Sequence, residues 1–68
     1  MSNLEEMLSV KFKNKRFQVK VYPYVISLGN FYVVEDALEE MQPISFDSNW
    51  TEAEEFCIFI NNLYDKTK

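Results

Sequence analysis

From Ala53 onward the chain repeats apolar residues at helical spacing: Ala53, Phe56, Cys57, Ile60, Leu63 and Tyr64, with Phe59 widening the stripe. A helix with one broad apolar side must lay that side on another layer of structure. Thr51 and Glu54 read as a capping box at its start, where Glu52, Glu54 and Glu55 complement the positive end of the dipole; Lys66 and Lys68 suit the negative end. The receiving layer has to come from the residues upstream, and the chain holds only 68 in all. That length allows one domain, residues 1–68, burying about 60% of the unfolded chain's surface.

Upstream, the period of the apolar residues changes. Ser2 and Glu5 form a capping-box pattern, which predicts a helical turn over residues 4–8. Val10, Phe12, Phe17, Val19 and Val21 then alternate with Lys11, Lys13, Gln18 and Lys20. With Asn14-Lys15 as a two-residue turn, Phe12 faces Phe17 and the apolar set falls on one side of a hairpin. Pro23 belongs at an edge, a bend or a strand end. Gly29-Asn30 is a turn pair between residues 24–28 and 31–34, and the β-branched and aromatic density of 31–34 favours strand over a helix beginning at Asn30. Val34, Ala37, Leu38 and Met41 predict a short helix stopped by Pro43. Residues 44–46 read as a brief strand or connector, and 47–49 as a turn. The expected fold is α+β: an antiparallel sheet of three to four strands, an N-terminal β-hairpin and meander, covered on one face by the long C-terminal helix with short helices beside it.

The side-chain inventory removes most chemistry. With no histidine, the commonest general base and zinc ligand is missing. Cys57 is the single cysteine, so it has no internal disulfide partner and reads as a buried, inert thiol in the apolar stripe. One glycine makes no phosphate-binding loop. Glu54 and Glu55 are a carboxylate pair with nothing beside them to tune their acidity. The expectation is a protein that is not an enzyme, with no cofactor and no metal. No apolar run is long enough to span a membrane, and the basic and apolar regions of a signal peptide are missing. Together with a lone cysteine this points to the cytoplasm, where the sequon Asn49-Trp50-Thr51 stays unmodified.

What remains is binding. The formal net charge is −4, divided as +3 over residues 1–34 and −7 over 35–68. Lys11, Lys13, Lys15, Arg16 and Lys20, interleaved with aromatic residues, outline a basic face that could receive nucleic acid. The plainer account is a solvated strand face whose lysines guard an edge. Glu35, Asp36, Glu39, Glu40, Glu52, Glu54 and Glu55 outline an acidic face that would serve a DNA mimic, although seven carboxylates on two helices cover little of a phosphate backbone. Tyr22, Tyr24 and Tyr32 exceed what one small core can hold, Trp50 sits just before the last helix, and Ile58 falls on its polar side; these are the partner-binding candidates. A domain this small with neither disulfide nor metal also gains from self-association, so a homodimer is expected. The leading expectation is an acidic protein-binding module that occupies a partner sterically. That is the character of the small proteins with which phages and mobile elements block host enzymes or defence systems. Nucleic-acid binding through the basic hairpin and carboxylate mimicry of DNA are the alternatives.

Overall fold

A computed structural model describes residues 3–24, 26 and 29–67. It contains helix α1 (Leu4–Lys11), strands β1 (Phe17–Pro23) and β2 (Asn30–Asp36), a 3-10 turn (Ala37–Glu39), strand β3 (Gln42–Asp47) and helix α2 (Trp50–Thr67). The three strands form one antiparallel sheet in the order β1-β2-β3, and both helices pack on the same side of it. This is the expected α+β architecture with a long C-terminal helix on the sheet.

The N-terminal hairpin is not formed. Val10 and Lys11 belong to α1, Phe12 caps it, and Phe17 pairs with Asp36 rather than Phe12. The physical reason lies four residues apart: Leu4, Leu8 and Phe12 make a continuous helical stripe, and all three join the core. A strand starting at Val10 would have broken that stripe to pair only four residues. The cap is Asn3, whose Oδ1 accepts from the Glu6 amide at 2.8 Å. Ser2 lies outside the described residues, and the helix extends well beyond the expected turn.

β1 and β2 do form a hairpin, paired from Phe17 opposite Asp36 to Pro23 opposite Asn30. Pro23 ends β1, an edge strand, where its missing N–H costs no ladder bond. The Tyr24 amide donates to the carbonyl of Gly29, which takes φ 118°, a conformation that side-chain-bearing residues rarely adopt. Asn30 is therefore already strand rather than turn. The expected strand over 24–28 falls on Val25, Ser27 and Leu28, which lie outside the described residues.

The helix expected over residues 34–41 is also absent. Val34, Glu35 and Asp36 complete the central strand, and Asp36 Oδ1 then accepts from the Leu38 amide at 3.1 Å to start a single 3-10 turn. Glu40 and Met41 follow with φ of 56° and 60°, turning the chain back into β3. Full burial of Val33 and Val34 between two neighbours outweighs a weak helical pattern. Pro43 sits inside β3, the other edge strand, beside a bulge at Val34/Glu35.

α2 begins two residues earlier than its capping-box pattern implies. Asn49 Oδ1 accepts from the Thr51 amide at 2.9 Å, and the Asn49 amide donates to Asp47 Oδ1. Ala53, Cys57 and Asn61 face the sheet, flanked by Phe56, Ile60 and Tyr64. Phe59 and Leu63, assigned to the stripe by spacing, are exposed instead.

Candidate protein-binding face

β2 has a neighbour on each side, so both of its faces are framed by other strands. Strand register sends Tyr32, Val34 and Asp36 towards the helices, and Phe31, Val33 and Glu35 away from them. Glu35 and Asp36 are consecutive carboxylates, each only 6% exposed, on opposite faces of the same strand. Neither stands on the solvated acidic surface that a helix at 34–41 would have given them.

On the helix face the carboxylate is closed by a cation. Arg16 donates from Nε and Nη2 to the two oxygens of Asp36, both at 2.8 Å. Its guanidinium carbon stacks 5.0 Å from the Phe17 ring centroid and 4.8 Å from that of Tyr64. The pair holds the Asp36 carboxyl below its ordinary value of 3.8 and raises the Arg16 guanidinium further. Next to it, Asn61 ties α2 to the start of β1. Its Oδ1 accepts from the Phe17 amide and its Nδ2 donates to the Phe17 carbonyl, each at 2.9 Å. The Cys57 thiol donates to the same carbonyl at 3.2 Å, and burial pushes its pKa up to about 12.

On the other face no helix covers the strands. Tyr22 stacks on Phe31 at 5.5 Å with 23° between the rings, and Tyr24 and Phe46 flank Phe31 at 5.5 and 6.3 Å. Tyr22, Phe31, Val33, Glu35, Pro43 and Phe46 line a groove of about 220 Å³. The Tyr22 hydroxyl donates to Glu35 Oε2, a hydrogen bond that raises the phenol's pKa and keeps it a donor at neutral pH. Glu35 Oε1 receives no hydrogen bond from a described side chain. Glu35 itself lines the groove, and no buried side-chain polar atom is left unsatisfied among the described residues.

The residues singled out by sequence scatter over this frame. Tyr22 and Tyr24 lie on the open face, whereas Tyr32 is a core residue at 8% exposure. Trp50 borders a shallow surface depression with Asn3, Leu4 and Met7, and Ile58 lines another with Lys11, Phe12, Lys15, Asn61 and Asn62. The basic residues form no single face. Lys11 pairs with Glu54 at 2.9 Å, Lys15 with Asp65 at 3.2 Å and Arg16 with Asp36, while Lys20 stands beside Val33 on the open face. Of the expected acidic face, Glu35 and Asp36 are buried in the sheet and Glu54 is engaged by Lys11. Among the described residues no cluster of His, Cys, Asp and Glu is placed to hold a metal ion, and no helix is long and apolar enough to cross a membrane.

Sequence reasoning missed Phe31, Val33, Pro43 and Phe46. One signal was available: Phe31-Tyr32-Val33-Val34 is unbroken rather than alternating, the pattern of a strand with apolar neighbours on both faces. Comparison of the chain with protein families, curated proteins and solved structures finds no significant match.

Proposed function

We propose that this chain is a protein-binding module that occupies its partner sterically through the open face of the sheet, and that it has no catalytic role. The observation that carries this reading is the row of stacked rings from Tyr24 and Tyr22 through Phe31 to Phe46 on a helix-free face, with Phe46 66% exposed beside the free edge of β3. Aromatic side chains around a small polar centre are the composition of binding hot spots, and a free edge can add main-chain hydrogen bonds. The ion pairs of Lys11, Lys15 and Arg16 weigh against nucleic acid, and the burial of Glu35 and Asp36 weighs against its mimicry. Self-association is assigned to the outer flank of α2, where Phe59 and Leu63 are exposed away from the ring row.

The test is capture of a partner on the immobilised chain, compared with Phe46→Glu and Phe59→Glu. The reading expects Phe46→Glu to abolish capture and Phe59→Glu to spare it while shifting the sedimentation coefficient towards monomer. Capture that survives Phe46→Glu would contradict it. So would oligonucleotide binding below ~1 μM that weakens steeply with salt.

A further inference from the structure

Asp36 shows how this fold handles a carboxylate framed by aromatic rings. Arg16 lies across the rings of Phe17 and Tyr64 and binds both oxygens of Asp36. One residue earlier, Glu35 is equally buried and equally framed, with Tyr22, Phe31 and Phe46 in the places of the rings. Among the described side chains its cap is the hydroxyl of Tyr22, on one oxygen. We infer that the groove over Glu35 is a receptor for one arginine side chain of the partner protein, stacked on the rings of Phe31 and Phe46 and hydrogen-bonded to Glu35 Oε1.

The charge and shape agree with that occupant. A carboxylate at the floor of an apolar groove selects a cation, because desolvating it against a neutral group leaves it unpaired. The rings of Phe31 and Phe46 lie 6.3 Å apart with 31° between their planes, so they offer a gently inclined flat surface rather than walls of a box, which suits a planar guanidinium over a spherical ammonium. The groove volume of about 220 Å³ is of the size of one side chain. A second copy of this chain is a poor donor, since Arg16 is its one arginine and is already held by Asp36. Lys20 of β1, paired with Val33 of β2, carries a like charge on the same face, and its removal favours the incoming cation.

This inference rests on the open face being the binding face, and its test isolates the groove. The probes are the blocked amides of arginine, lysine and citrulline, the last keeping arginine's shape without its charge. They are titrated into the labelled chain while the ring and methyl signals of Tyr22, Phe31, Val33 and Phe46 are followed. The arginine probe should shift these signals saturably, with an affinity about tenfold above citrulline and above lysine. Glu35→Gln, in which an amide oxygen still accepts from Tyr22, should erase the preference while Leu8 and Val34 signals remain native. Lys20→Glu should strengthen arginine binding. Equal binding of arginine and citrulline, a preference that survives Glu35→Gln, lysine matching arginine, or no shift at tens of millimolar would each overturn the inference. Partner capture that depends on Phe46 alongside a groove indifferent to arginine would remove this inference alone and leave the binding face standing.

Discussion

Two faces of one sheet meet at Glu35 and Asp36, and they are finished differently. On the helix face every group is closed from within: Asp36 by Arg16, the Phe17 backbone by Asn61, the apolar side chains by Leu8, Phe12 and Cys57. On the open face the rings stack on each other, the carboxylate takes one hydroxyl, and Phe46 stands in solvent. In these 68 residues both helices lie on one face, and the accessible surface is 5041 Å² against roughly 4,500 Å² for a compact protein of this mass. The lesson is that the two faces are divided by strand parity: even residues of β2 pack under the helices, and odd residues lie on the face that no helix covers, beneath Tyr22 and Phe46.

The comparison breaks most visibly in the core. Leu8→Ala, which empties the middle of the α1 contact, should cost ~3 kcal/mol in urea unfolding, a large share of what so small a domain has. A loss below ~1 kcal/mol would show that α1 contributes little to the helix face. Asn61→Leu should cost ~2 kcal/mol, because the Phe17 amide and carbonyl lose their partner at a buried edge. A neutral outcome would mean that water reaches the start of β1.

The two carboxylates can be compared through acid unfolding. Asp36 is held below its ordinary value of 3.8 in the folded chain, so the folded state resists its protonation more than the unfolded state does. The stabilisation is therefore complete above that value and lost as pH falls through and below it. Asp36→Asn should lower stability at neutral pH and flatten the acid limb of the stability profile. A variant that keeps the parent's acid limb would assign that limb to other groups. Glu35→Gln should be milder still, within ~1 kcal/mol of the parent at neutral pH, since the amide oxygen can accept from Tyr22. A larger loss would give Glu35 a structural duty like that of its neighbour.

How much of this was legible in the chain depends on range. The α2 helix and the burial of Cys57 follow from local period and were readable, whereas the β1–β2 pairing was not, since Gly29-Asn30 reads locally as a turn between residues 24–28 and 31–34. Val10 and Phe12 were misread because an alternating pair and a four-residue helical step coincide there, and only the distant core decides between them. Glu35 and Asp36 look like solvated acids until Arg16, twenty residues away, and Tyr22 arrive beside them. Asn61 could have been caught, since it follows Ala53 and Cys57 at steps of four and so stands in the middle of the apolar stripe. The aromatic groove was the least visible part. It is assembled by the bulge and register of β3, which place Phe46 opposite Val33 and Pro43 opposite Glu35, and neither pairing is written in local sequence.

The division of the two faces is tested most directly by the urea midpoint of Phe46→Glu measured beside that of Leu8→Ala. A charge placed on a solvent-facing ring position of a recognition surface should leave stability within ~0.5 kcal/mol of the parent. A loss approaching that of Leu8→Ala would mean that the open face is a second core whose cover is part of the folded state, and the assignment of recognition to it would fail.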